Sequence, residues 1–171
     1  MRTFLAIDLP IKTKKEIAGL ITDLKKQYPA INWIPEDNYH ITIRFYGEIR
    51  DYKQLGSSIE HALFDQESFY LYSTHLDLFI QNKITIYLAF LREKKLEELD
   101  NKLGNQTMKF IPHLTIARSR IPSKQQYFVL KKRVEKINID ISFKVNEVIL
   151  FESVLSKHHP LYIKKKRIKL L

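Results

Sequence analysis

The chain has 171 residues, 44% of them apolar, with ten Phe and nine Tyr against four Gly and six Pro, a composition that supports a folded core and excludes a disordered protein. No cysteine occurs, which removes disulfide scaffolds, thiol nucleophiles and thiolate metal sites together. Lys and Arg number 29 against 19 Asp and Glu, a formal charge of +10 that favours anionic partners, nucleic acid being the commonest, without identifying a site.

In chain order, "RTFLAID" reads as a short apolar strand. Asp8 and Pro10 end its apolar run too soon for a signal peptide or a membrane span, so a soluble, cytoplasmic protein is expected. Ile17, Leu20, Ile21 and Leu24 recur at helical spacing in "IKTKKEIAGLITDLKKQY", which predicts one amphipathic helix with a lysine-rich outer face, stopped by Pro29. After "INWIP" comes the strand "HITIRFY", closed by Gly47, and then a second helix over 51 to 64.

"FYLYSTHLDLFI" and "KITIYLAFL" predict two strands joined by a hairpin at Gln81 and Asn82. Leu96, Leu99 and Leu103 share a helical face in "REKKLEELDNKLG", where Gly104 is placed as a C-terminal stop. "HLTIAR" is the next strand and "SKQQYFVLKKRVEKI" a helix; "IDISFKVNEVILFES" and "PLYIKKKRIKLL" close the chain as strands. Mixed elements with short connections and no linker predict a single α+β domain over 1–171.

Two of the strands carry the same pattern. "NYHITIRFYGE" contains His40 and Thr42, and "IPHLTIARSR" contains His113 and Thr115. Alternation along a strand puts His and Thr two apart on one face and the flanking Ile or Leu on the other. By the same alternation His40, Thr42 and Arg44 share a face, opposite Ile41, Ile43 and Phe45. Each copy follows a helix and a turn, so two related halves can aim both pairs into one groove.

Two imidazoles in one groove suit a reaction needing a base and an acid near neutral pH. Two hydroxyls beside them can donate to the non-bridging oxygens of a phosphodiester, where charge accumulates during attack. Chance yields about 0.05 such motifs with apolar residues after both His and Thr, so two copies carry far more weight than one.

On these residues the sequence resembles the two-histidine (2H) phosphoesterases, and among them the RNA 2′,3′-cyclic phosphodiesterases once called 2′-5′ RNA ligases. The likeness covers nearly the whole chain: "RTFLAIDLP" as the opening strand, "NWIPEDNYHITIRFYGEI" and "FIPHLTIAR" as the two motif regions, "VILFESVLSKHHPLY" as the closing segment. Tyr46 stands where the family usually has leucine, and His159 where it usually has a glycine before Pro160.

The resemblance implies two pseudo-symmetric lobes of antiparallel sheet with outer helices around a central cleft. It also implies hydrolysis of a 2′,3′-cyclic phosphate, at an RNA or oligonucleotide end or on a nucleoside, to a 2′-phosphomonoester, with no metal or other cofactor. His113 then takes a proton from water, His40 protonates the leaving 3′ oxygen, and Thr42 and Thr115 hold the phosphoryl oxygens. Neither a membrane nor an obligate protein partner is implied. Two other readings stay open on the residues themselves: a nucleotide- or RNA-binding module without turnover, and 2′-5′ RNA end-joining in the same groove.

Further candidates follow from position. Arg118 matches an arginine ending the family's second motif, where it neutralises phosphate; simple alternation from His113 puts it on the far face, so contact requires a bulge or the strand's end. Tyr162 by position, and Tyr46 by sharing a face with His40, are candidates to stack on a base. Arg44 is read as a solvated charge at the rim, and Tyr70, Tyr72 and Tyr87 as strand packing. His61 and His75 are read as structural, and His158 with His159 lacks a third metal ligand at suitable spacing. The terminal "KKKRIK" either tracks an RNA backbone or guards an edge strand with charge.

Overall fold

A computed structural model describes residues 1–104 and 110–171. The opening strand β1 (Arg2–Asp8) leads through Pro10, the N-cap, into α1 (Ile11–Leu20) and then α2 (Thr22–Gln27). One continuous helix was expected here, and the break falls at Ile21, where φ −97° and ψ 2° leave the helical range. Beside it the β-branched Thr22 turns its hydroxyl back onto the Ala18 carbonyl (2.9 Å), a bond that bends helices.

A two-residue strand β2 (Asn32–Trp33) and a 3-10 turn (Glu36–Asn38) precede β3 (His40–Glu48). The helix α3 (Tyr52–Ala62) starts at Asp51, whose carboxylate accepts from the Lys53 and Gln54 amides at 2.8 and 3.1 Å. The hairpin is β4 (Phe69–Ile80) with β5 (Ile84–Phe90). The next helix, α4 (Lys94–Lys102), ends at Leu103 followed by Gly104 at φ +96°, the left-handed stop its sequence predicts. β6 (His113–Ser119) comes next, and then α5 (Lys124–Glu135), opened by a reciprocal capping box of Ser123 and Gln126. The expected strand stretch over 139 to 153 is two strands, β7 (Ser142–Val145) and β8 (Glu147–Val154), which pair with different partners, and β9 (Leu161–Lys169) closes the chain.

Among the described residues all the pairings are antiparallel, and the strand order is β7-β4-β5-β6-β3-β1-β8-β9, with β2 added on β6. The order is symmetric about its centre. β3 and β6 meet in the middle; β1 and β5, β8 and β4, β9 and β7 are equivalent strands of the two halves. This is an α+β fold of two related four-stranded halves.

One face of the sheet carries the helices. Ile17, Leu24, Ile59, Leu96, Leu99, Leu130 and Val134 pack from the helices onto Leu5, Ile7, Ile41, Ile43, Leu114 and Ile116 of the strands in one continuous core. Burying so many aliphatic side chains, each contributing about 1.5–3 kcal/mol, is what fixes which strand face turns inward. A smaller cluster lies apart from that core: Phe4, Ala6, Ile149 and Phe151, with Tyr162 against them. It borders the groove toward which His40 faces.

Candidate active site

β3 and β6 are joined at a single register pair, Ile41 opposite Leu114. These are the middle residues of the two HxT triplets. Antiparallel pairing continued one residue either way therefore sets His40 against Thr115 and Thr42 against His113, all on the face opposite the buried Ile41 and Leu114. Opposed Cβ atoms on such strands lie about 4.5–5.5 Å apart, so each imidazole has the other strand's hydroxyl as its neighbour.

Both rings are held the same way. His40 Nδ1 lies 2.7 Å from the Asn38 carbonyl, and His113 Nδ1 lies 2.9 Å from the Ile111 carbonyl, in each case two residues upstream. A carbonyl can only accept, so Nδ1 carries the proton in both rings and Nε2 is the atom left to exchange one. His40 Nε2 is 3.1 Å from Thr42 Oγ1, the hydroxyl donating to the neutral ring. The turn that supplies the Asn38 carbonyl is tied down in its own right, since Asn38 Nδ2 donates to the Pro160 carbonyl at 2.9 Å.

The surroundings of the two rings differ. His40 lies 5.0 Å from Phe4 and edge-on to Tyr162 at 5.1 Å, with Phe151 at 6.4 Å. That burial holds its pKa below the ordinary imidazole value; the Asn38 carbonyl and Asp8 oppose the shift, and Lys14 and Arg118 add to it. Burial also raises the Tyr162 phenol, against the pull of Arg118 and Arg2, so it remains a neutral donor. His113 stands edge-on to Tyr87 at 6.0 Å and to Phe79 at 6.4 Å.

Simple alternation fails just past each threonine, and it fails at the same place twice. On β3 the register with β1 runs Ala6 to Thr42 and then Leu5 to Arg44, skipping Ile43. On β6 the register with β5 runs Tyr87 to Thr115 and then Ile86 to Ala117, skipping Ile116. Each strand thus holds an extra residue just past its threonine, a bulge that reverses the faces beyond it, and β3 has a second shift where the register with β1 skips Tyr46 between Phe45 and Gly47. Ile116 and Ala117 are both fully buried as a result, and Arg118 emerges exposed on the groove side, where its charge is felt at His40 and at Tyr162.

The β3 bulge corrects two expectations. Arg44 does not share a face with His40 and is not a solvated rim charge. It lies beneath α4, paired with Asp100 at 2.8 Å with both side chains almost buried, and donates to the carbonyls of Asp100, Leu103 and Gly104 at the helix's C-terminal end. Tyr46 is turned the same way, packed on the main core with Arg44 and Asp100 nearby, and burial raises its phenol. It occupies a position suited to an apolar side chain and offers no platform to a base.

In their place Phe45 faces the groove, 70% exposed and 5.9 Å from Phe4. The sequence reading missed Phe4, Phe45 and Phe151, and took Tyr87 as packing although it stands against His113; the paired apolar residues in "TIA" were the signal for a bulge. Tyr70 and Tyr72 are exposed and stacked on each other at 6.3 Å, away from either imidazole. His61 lies exposed on α3, and His75 contacts Thr74 and Asp77 on β4. Among the described residues no group of three or more His, Asp or Glu is arranged to hold a metal, and His158 with His159 joins none.

Four cations of the terminal basic run are paired in place. Lys164 pairs with Asp8, Lys165 with Glu152, Lys166 with Glu60 and Arg167 with Glu147, at 2.5, 3.3, 2.6 and 2.6 Å, along an edge strand of the sheet. That arrangement fits guarding of the edge. Among the described residues no helix is long and apolar enough to cross a membrane.

Known proteins share this architecture. The family model of the 2′-5′ RNA ligase superfamily matches residues 13–155. The chain is 30% identical to an RNA 2′,3′-cyclic phosphodiesterase of Methanocaldococcus jannaschii, over 95% of this chain and 96% of that protein. It is also 30% identical to one of Thermotoga maritima, over 95% of this chain and 91% of that protein. Among solved structures, E. coli LigT complexed with 3′-AMP superposes with a TM-score of 0.77 at 22% identity, covering 99% of this chain and 97% of that one. A Thermus thermophilus protein superposes with a TM-score of 0.76 at 18% identity, covering 99% and 98%.

Proposed function

The chain belongs to the 2′-5′ RNA ligase superfamily of 2H phosphoesterases, and we propose that it hydrolyses 2′,3′-cyclic phosphates on RNA ends or nucleosides to 2′-phosphomonoesters without a metal. The observation that carries this reading is the crossed pairing of the two HxT triplets, with Nδ1 of both rings fixed on a backbone carbonyl and both Nε2 atoms left for proton exchange. A protein that only binds a nucleotide has no use for two proton-transfer groups held in matching tautomers.

In the proposed step a water oxygen attacks phosphorus as His113 Nε2 takes its proton. The bond from phosphorus to O3′ breaks, and O3′ receives a proton from His40 Nε2, leaving the phosphate on O2′. Thr42 and Thr115 donate to the non-bridging oxygens, and Arg118, brought to the groove by the bulge, offsets their charge. Burial disfavours the charged form of His40 in the free protein, whereas a phosphodiester anion in the groove favours it. Substrate binding therefore arms the acid.

The test is incubation of the protein with adenosine 2′,3′-cyclic phosphate in EDTA beside its His40→Ala and His113→Ala variants. Turnover by the parent, lost in both variants, supports the reading. Tight binding with no turnover by the parent would make the protein a nucleotide-binding module, and joining of RNA ends in place of hydrolysis would make it a ligase.

A further inference from the structure

Beyond His113 the outer part of the groove face carries an exposed row that the proposed chemistry does not use. Ala89 pairs with His113, and just past that pair the Phe90 amide donates to the Pro112 carbonyl and the Leu91 amide to the Tyr72 carbonyl. Ile111 before β6, Leu91 after β5 and Tyr72 on β4 therefore lie abreast. Phe90 and Leu71 are buried in the main core, so alternation turns Leu91 and Tyr72 to the opposite face, the one that carries His113. Tyr70 follows on that same face of β4. Ile111, Leu91, Tyr72 and Tyr70 are each about half exposed or more, and the two tyrosine rings stack with centroids 6.3 Å apart and planes 29° apart.

The row is held in place and runs on from the site. Ser73, next to Tyr72, turns into the protein: its hydroxyl donates to the Ile139 carbonyl at 2.7 Å and accepts from the Ile141 amide at 2.9 Å, while its own amide donates to the Ile141 carbonyl at 2.8 Å. At the near end, the backbone of Ile111 supplies the carbonyl that fixes His113 Nδ1. Tyr72 lies two strands out from His113 and two residues along, a separation of about 12 Å. Lys144 stands opposite Tyr70 in the register of β7 with β4 and is exposed. Unlike the lysines of β9, it joins no ion pair among the described residues. Exposed aromatic faces with a free cation beside them suit bases and a backbone phosphate, and on a chain of net charge +10 they favour a polyanion over an apolar protein surface.

We propose that this row is a docking platform for the body of a single-stranded RNA: bases remote from the reacting phosphorus stack on Tyr72 and Tyr70, and Lys144 meets a backbone phosphate. The proposal rests on the cyclic phosphodiesterase reading and adds to it a determinant of substrate length. A mononucleotide cannot span from the HxT strands to Tyr70, whereas an oligonucleotide can. Because every base offers a π face, the platform favours longer strands with little choice of sequence. Each stacked base adds affinity without taking part in the chemistry.

Two measurements decide it. In the first, KM is compared between adenosine 2′,3′-cyclic phosphate and an oligoadenylate of about six nucleotides with the same 3′ end, a length within the usual range of single-strand sites. The parent's KM is about tenfold or more lower for the oligonucleotide, and the Tyr70→Thr/Tyr72→Thr double variant loses most of that ratio. In the second, Kd of the fluorescein-labelled oligoadenylate 2′-phosphate is followed by anisotropy against salt. The double variant binds about tenfold or more weakly, and Lys144→Gln lowers the slope of log Kd against log salt by about 0.7, the value of one single-strand phosphate contact. Equal KM values for the two substrates in the parent, or a ratio and Kd kept by the double variant, overturn the proposal. So does a parent that sediments as a dimer and is made monomeric by the tyrosine substitutions, which assigns the row to a second copy of the chain. Absence of turnover with either substrate sinks the enzymatic reading instead, and the anisotropy still reports whether the row holds RNA.

Discussion

Ile41 stands opposite Leu114, and this one pair places each histidine of the two HxT triplets beside the threonine of the other. Both side chains are buried, and they sit on the two strands at the centre of the symmetric strand order. What lies on the other side of them is a four-cornered set of two imidazoles and two hydroxyls, with phosphorus expected at its centre.

The hydroxyls are predicted to act on the transition state. Thr42→Val and Thr115→Val keep side-chain shape and remove the donor, so each should lower kcat by about 10²-fold with the fold intact. Thr42→Val should also loosen the His40 ring, whose Nε2 it contacts at 3.1 Å, and this is checked by histidine side-chain NMR together with the rates. Unchanged kcat in both variants would remove the threonines from the chemistry.

Arg118 reaches the groove only through the bulge at Ile116. Arg118→Met should lower kcat/KM by about 10-fold or more, and the parent's kcat/KM should fall with added salt more steeply than the variant's. The side chain is exposed, so thermal stability should not move. A variant with the parent's kcat/KM and salt dependence would make Arg118 a bystander.

Arg44 should behave in the opposite way. Arg44→Met leaves Asp100 almost buried without this partner and strips the C-terminal carbonyls of α4, a loss of about 3 kcal/mol. Urea unfolding should show that loss while kcat/KM stays near the parent's at low temperature. Full stability combined with lost activity would return Arg44 to the substrate.

The depressed pKa of His40 has two signed consequences. Its proton is held less firmly in the folded than in the unfolded chain, so stability is present above about pH 6.5 and declines as pH falls toward the folded value. The decline should be smaller in His40→Gln. In kinetics the alkaline limb of kcat/KM, which reports the free protein's acid, should lie at lower pH than the alkaline limb of kcat, where the bound anion supports the charged ring. Coincident limbs, or a kcat/KM plateau extending well above pH 9, would contradict His40 as the acid.

Much of this was legible in the sequence because period-two alternation with apolar backing identifies a strand face without further information. His40, Thr42, His113 and Thr115 were placed on that basis, and the structure brings the two pairs together across β3 and β6. The reading failed where the period slips. One extra residue at Ile43 sent Arg44 and Tyr46 to the helix side and Phe45 to the groove, and the mirror slip at Ile116 brought Arg118 forward. "TIRF" gives no hint of a bulge, because Arg44 looks solvent-facing until α4 is folded over it. Tyr162 was named by position, but Phe4 and Phe151, which complete the aromatic wall with it, were illegible for another reason: β1, β8 and β9 become neighbours only in the assembled sheet.

The central claim is that two imidazoles act on one phosphorus, and the most direct test is a cycle of rates. Hydrolysis of adenosine 2′,3′-cyclic phosphate, followed by ³¹P NMR in EDTA, is measured for the parent, His40→Ala, His113→Ala and the double variant. Each single variant should lose about 10²–10⁴-fold in kcat, and the double should be little worse than either single, because the two groups serve one step. A parent that leaves the substrate intact, or a single histidine variant that retains the parent's rate, would contradict the account.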